Sequence, residues 1–292
     1  MKRYRGEIWF DVINYAFLGL LALSCVLPFI NVLAVSLSDS AVAQANMVGL
    51  IPVKFTFSSY VFALQKKRFL LSMLNSVQRV VVGVSLSSLL TIITAYPLSK
   101  AKGVFKGRTA FSWFFMLTML VSGGLIPTFL IVTWTGLRNT VWALVLPGAV
   151  PVYNVLILLN FFRTLPGELE ESAVLDGAGD FTILFRFFVP LSMPCIASLI
   201  VFTSVAHWNE WLGGAIYLDS IEKYPLATYL HNVLQRPNFD DMDLKEIQRL
   251  MQISNRTLSS AQIIIGALPI ILVYPFLQRY FVKGLTLGSL KG

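Results

Sequence analysis

The sequence predicts an all-α membrane protein with six transmembrane helices, and three observations carry that prediction. Of 292 residues, 56% are apolar and 13% charged, about half the charged share of roughly 25% in an average soluble domain. The mean hydropathy of +0.71 exceeds what a core can hide, so apolar surface is left to face lipid. Six stretches carry no formal charge and each reaches the roughly 20 residues a helix needs to cross a bilayer, whereas the alternation of a membrane barrel is missing.

The first stretch, Val12 to Ser38, follows Lys2, Arg3 and Arg5 and precedes Ala41-Val42-Ala43, the arrangement of a secretory signal. It is longer than the roughly 7 to 15 residues of a signal's apolar region, so it is read as a retained helix. Val80 to Ser99 comes second, with Arg79 lying within the helix region itself. Thr109 to Leu137, Asn139 to Phe162, Phe187 to Asn209 and Thr257 to Gln278 complete the six. Hydrocarbon offers no water to the backbone, so helices are what such runs adopt. Pro28, Pro97, Gly123-Gly124, Pro127, Pro147, Pro151, Pro194, Pro269 and Pro275 interrupt them. Breaks of this kind persist where neighbouring helices or a wet cavity satisfy the freed backbone groups, which leaves open kinked packing helices and hinges of a moving pathway.

Sidedness follows from the cations. With the N-terminus inside, 12 of the 23 Lys and Arg fall on inner segments and ten on outer ones, with Arg79 between. The short loop from Lys100 to Arg108 packs four cations into nine residues, and short dense loops weigh most in the positive-inside rule, so both termini are expected to be cytoplasmic. The net charge of +8 is scattered between apolar runs rather than gathered into a stripe, which suits anionic lipid headgroups and excludes nucleic acid as a partner. An outer segment, 210–256, is expected to form a cap of two short helices, Tyr224 to Leu234 and Asp243 to Ile253, separated by Arg236-Pro237-Asn238. The whole chain, 1–292, reads as a single transmembrane domain.

Enzyme chemistry finds no footing. Cys25 and Cys195 sit inside apolar runs with no metal-ligand spacing, His207-x-x-Glu210 lacks the second histidine of a zinc signature, and no Walker or G-x-S-x-G pattern occurs. Few acids lie within the apolar runs, which disfavours the proton relay of a secondary transporter.

The informative segment is the inner loop 164–190. Pro166 suits a helix start, Glu168, Glu170 and Glu171 fall where the positive end of the helix dipole favours them, and Gly177 or Gly179 can close the helix in a left-handed cap. Asp180 can cap a second short helix, Phe181 to Phe188. The product is a helix-turn-helix knuckle with Ser172, Ala173, Gly177 and Ala178 at or near its tip. Leu169, Val174, Leu175 and Phe181 would lie exposed unless a partner or the chain's own bundle covered them.

This loop resembles the EAA loop of binding-protein-dependent ABC importer permeases. The residues that carry the likeness are Glu171-Ser172-Ala173, Asp176-Gly177-Ala178, Pro190 and Pro194 at matching spacing, with Ser172 in place of the second-position alanine. Asn75-Ser76, Ala95-Tyr96-Pro97-Leu98-Ser99, Trp208-Asn209-Glu210 and Tyr274-Pro275-Phe276 extend it along the chain toward the carbohydrate class. The resemblance implies a type I ABC importer permease. It would pair with a second homologous permease, two ATPase subunits and an extracytoplasmic solute-binding protein in a bacterial cytoplasmic (inner) membrane. ATP and Mg would be held by the ATPase subunits and no cofactor by this chain. Glu170, Glu171, Ser172, Ala173, Asp176, Gly177 and Ala178 would dock the ATPase. Trp208, Asn209 and Glu210 would line the pathway of an oligosaccharide. The cap and C-terminal pattern look most like permeases for uronate oligosaccharides such as alginate, and Lys66-Lys67-Arg68, Arg138 and Arg256 would help to gather an anion at the outer face. A neutral oligosaccharide is the alternative cargo, and a secondary transporter the alternative from another class.

Overall fold

The computed structural model describes the backbone of residues 5–101, 103–235 and 255–289, and the side chains of 9–101, 103–233 and 255–272. Every regular element among the described residues is helical. They are α1 (Arg5–Ser36), α2 (Ser40–Gln44), α3 (Ser58–Gln65), α4 (Lys67–Ser99), α5 (Arg108–Leu120), α6 (Leu125–Trp134), α7 (Val141–Val145), α8 (Val152–Phe162), α9 (Gly167–Leu175), α10 (Asp180–Ile183), α11 (Val189–Leu191), α12 (Met193–Asn209), α13 (Leu212–Tyr217), α14 (Leu226–Gln235) and α15 (Asn255–Ser289).

Three single helices contain a stretch long and apolar enough to cross a membrane: Trp9–Ser36, Lys67–Ser99 and Asn255–Leu272. The other three charge-free runs fold as bent pairs. α5 and α6 meet at 114°, Val141–Gly148 and α8 at 51°, and Asp180–Leu191 and α12 at 80°. Each bend has a cause in the sequence. Gly124, at φ +82°, sits in the first break, where only glycine adopts that backbone without strain. Pro147 lies in the 3-10 turn Leu146–Gly148 and Pro151 caps α8. At the third bend, a π-helical turn, Leu184–Phe188, precedes Pro190 and Pro194. Such turns, and a proline's missing N–H, are the usual origins of sharp kinks.

The chain divides into two compact units, 1–69 with 232–268 and 70–231 with 269–292. In the first, the end of α1 packs Ala34 and Val35 against Ala43 and Val48. Asp39 caps α2 by accepting the Ala41 N–H at 3.0 Å, and Ser38 both donates to the Ala34 carbonyl and accepts from the Val53 N–H. From Trp9 to Ile30 α1 is exposed almost all round, Trp9, Phe10, Tyr15, Leu20 and Phe29 among the exposed side chains. At the start of α15, Arg256 donates to the Ala43 carbonyl and the Asn46 side chain.

The second unit has its core where the C-terminal end of α4 meets α8, the knuckle and α12. Tyr96, Val155, Leu158, Phe162, Ile183, Phe188, Ile196 and Leu199 form one buried cluster, and Tyr96, Phe162 and Phe188 pack edge to face. A smaller cluster joins Val132, Ala143, Leu144, Tyr217 and Leu218. The region read as a cap contains α13 and α14. Its second expected helix, Asp243 to Ile253, and the acids Asp240, Asp241, Asp243 and Glu246 lie outside the described residues.

Candidate functional site

The knuckle is built from α9, a tight turn and α10. α9 ends in a Schellman cap: the Gly177 N–H reaches the Val174 carbonyl at 3.0 Å and the Ala178 N–H reaches the Ala173 carbonyl at 2.9 Å, with Gly177 at φ +79°. Of the two glycines that could close the helix, Gly177 therefore does so, and left-handed geometry is the reason. Nothing lies within 4 Å of a Cβ built on Gly177, so its role is conformational rather than one of close packing. Asp180 does not cap the second helix. Gly179 occupies that position without a side-chain bond, and Asp180 is the first helical residue.

Two of the residues expected to dock an ATPase are used inside the chain. Ala173 is buried in the main core. Glu170 pairs with Lys100 at 2.5 Å, and the Lys100 ammonium also lies 4.0 Å from the Tyr96 ring centroid and 4.6 Å from that of Phe188. Lys100 is thus a buried cation held by one carboxylate and two ring faces, and it ties the end of α4 to the knuckle. Ala178 is half-buried against the core, while Glu171, Ser172, Asp176 and Gly177 are exposed. Beside them stand bare apolar side chains: Leu175 is 88% exposed, Phe181 71% and Val174 56%.

At the other end of α12 the helix breaks. Asn209 is its last residue, Glu210 is extended, and α13 starts two residues later. The Glu210 carboxylate accepts the Gly213 N–H at 2.6 Å and forms an ion pair with Arg79 of α4. Arg79 also donates to the Glu210 backbone carbonyl at 2.7 Å. One turn along, α4 presents Gly83 to α12, and a Cβ there would meet His207 Nε2 at 2.6 Å. Arg79 with Glu210 and Gly83 with His207 thus form two rungs between α4 and α12.

These rungs border a cavity of about 490 Å³. Its polar lining includes Arg79, Asn154, Thr203, His207, Glu210 and Tyr217, and its apolar lining includes Leu125, Leu144, Phe202 and Ile216. Asn154 donates to Thr203 at 3.0 Å, fixing α8 to α12. Of the three pathway residues expected from sequence, Glu210 alone lines this cavity, whereas Trp208 and Asn209 do not. They precede Glu210 as the last two residues of α12, and positions one or two residues apart face different ways. Trp211 is not an open face either, since His231 stacks on it with centroids 3.6 Å apart. Sequence reasoning missed Arg79 as a site residue. The available signal was a lone arginine on the flank of an apolar run, and ionisable groups in membrane helices are functional by default. The cations expected to gather an anion are partly engaged: Arg138 pairs with Asp219 at 2.5 Å, and Arg256 is tied down as described.

Residues 87–287 match the family of binding-protein-dependent transport system inner membrane components. The chain belongs to this family. Among the permease's relatives, the polygalacturonan/rhamnogalacturonan transport system permease protein YtcP of Bacillus subtilis (strain 168) is 38% identical over 283 residues, covering 97% of this chain and 98% of that protein. The arabinooligosaccharides transport system permease protein AraQ of Halalkalibacterium halodurans is 27% identical over 299 residues, covering 100% of both. A solved chain of a bacterial ABC transporter involved in the import of the acidic polysaccharide alginate superposes with a TM-score of 0.88 at 30% identity, over 96% of the permease and 99% of that chain.

Proposed function

We propose that this permease is a six-span subunit of an ATP-driven importer for uronate-containing oligosaccharides. In this reading each bent pair crosses the membrane once and both termini and the knuckle are cytoplasmic. A second homologous permease completes the pathway, two ATPase subunits bind ATP and Mg, and an extracytoplasmic protein delivers the sugar. The exposed Glu171, Ser172, Asp176 and Gly177, with Leu175 and Phe181, dock an ATPase subunit, and the motion of that subunit rotates the bundle between inward-facing and outward-facing states. The cavity at Glu210 belongs to the route of the sugar, where Asn154, His207 and Tyr217 offer hydrogen bonds to hydroxyl groups.

The observation that carries the anionic reading is near whole-chain likeness to a permease of an alginate importer, joined by likeness to a polygalacturonan permease. Both polymers are polyuronates. Full-length similarity to an arabinooligosaccharide permease supports the second reading, a neutral cargo. ATPase activity of the assembled complex with its binding protein separates the two. Stimulation by a uronate oligosaccharide is expected, and stimulation by a neutral one of equal length alone would overturn the anionic reading.

A further inference from the structure

We infer that Arg79 is the carboxylate receptor of the cavity and that Glu210 is a built-in stand-in for the substrate's acid group, displaced when a uronate arrives. This rests on the uronate reading above and adds the residue that senses the charge.

A uronate leaving water for a cavity walled by Leu125, Leu144 and Phe202 needs a cation, because an unpaired carboxylate is costly to bury. Arg79 is the one Lys or Arg among the residues lining this cavity. It is fixed in place: its side chain is 4% exposed, and its bond to the Glu210 backbone carbonyl survives any movement of the Glu210 side chain. Its partner is freer. The Glu210 side chain is 37% exposed and sits on the extended residue between α12 and α13, so it can turn into water as the incoming carboxylate takes its place, giving up the Gly213 N–H it now accepts. Arg79 Nε is buried and has no acceptor, so the guanidinium has a donor that Glu210 leaves unused. Exchange of one carboxylate for another keeps Arg79 paired throughout, which avoids the penalty of an isolated buried cation. A neutral sugar offers nothing to trade for Glu210 and leaves the pair closed.

The test is equilibrium binding of a uronate tetrasaccharide, and of the same tetrasaccharide with its carboxyl groups reduced to alcohols, to the assembled complex in lipid nanodiscs. Co-purification of all subunits reports assembly of each variant. The wild type is expected to prefer the acidic sugar at least tenfold. Glu210→Gln removes the competing charge and keeps the shape, so the acidic sugar should bind severalfold tighter and the reduced one unchanged. In Arg79→Gln/Glu210→Gln two amides replace the ion pair without a stranded charge, and the preference should fall to within twofold. A preference that persists in the double variant overturns the inference, as does equal weakening of both sugars by Glu210→Gln, which would make the pair a strut only. A wild type that binds neither sugar, or prefers the reduced one, sinks the uronate reading itself and the inference with it.

Discussion

Two glycines set limits of opposite kinds. Gly177 has open space around it and a left-handed backbone, so Gly177→Ala should cost about 1 to 2 kcal/mol through the backbone alone. Asn, which tolerates that region, should cost less. Gly83 has an ordinary backbone and no space: Gly83→Ala drives a methyl into His207, with overpacking expected to cost about 1 to 3 kcal/mol. Thermal unfolding of the purified permease would measure both. Adding His207→Ala should relieve the second and leave the first untouched, and failure of that rescue would remove the α4–α12 contact from the account. From sequence, the knuckle glycine was legible because a cap follows a fixed local pattern. The Gly83–His207 contact was not, since it joins residues more than a hundred positions apart and glycine is common in membrane helices for many reasons.

Among the elements, the knuckle stands on Lys100. The partners are unequal, with Lys100 8% exposed and Glu170 28%, so the two truncations should differ. Glu170→Ala strands a buried ammonium between Tyr96 and Phe188 and should cost about 3 kcal/mol, the lower end for breaking a buried pair. Lys100→Met leaves an acid that water can reach and fills the gap between the rings, and should cost less. Protease cleavage within 175–181 reads the knuckle directly and should rise more in the first variant. Equal susceptibility would contradict the asymmetry. Charge-free runs, glycine pairs and prolines foretold where helices lie and where three of them bend. They could not show that Glu170 and Ala173 turn inward, because docking residues and anchoring residues in a short amphipathic helix have the same composition and differ only in which neighbour reaches them.

For the whole molecule, sidedness is the claim that every other role depends on. Cysteine labelling from each side should modify Gly103→Cys only from the cytoplasm and Asp241→Cys only from outside, following the four cations between Lys100 and Arg108. The reverse pattern would turn the knuckle away from any ATPase. Hydropathy made the membrane class and the long apolar helices legible at this scale, since solvent acts on every residue alike. It said little about which residues meet in the cavity, because six separate helices contribute to it and its charge pair lies 131 residues apart.

That pair has a consequence for how the protein is made. Arg79 and Glu210 are 131 residues apart, so at about 5 to 20 residues per second the ribosome delivers the arginine on the order of 10 s before its acid exists. In the six-span reading α4 therefore inserts with an unpaired guanidinium, against a penalty of roughly 2.5 to 3.5 kcal/mol if it reached the helix centre. Arg79 borders the charge-free run Val80 to Ser99, where its long side chain can reach the headgroups. During translation the arginine would hold the helix shallow, and the helix would settle to its final depth only once the fifth hydrophobic segment brings Glu210 alongside. In that reading synthesis order makes α4 a late-seating helix, and truncated nascent chains ending before residue 210 should show it displaced toward the side of its N-terminal end.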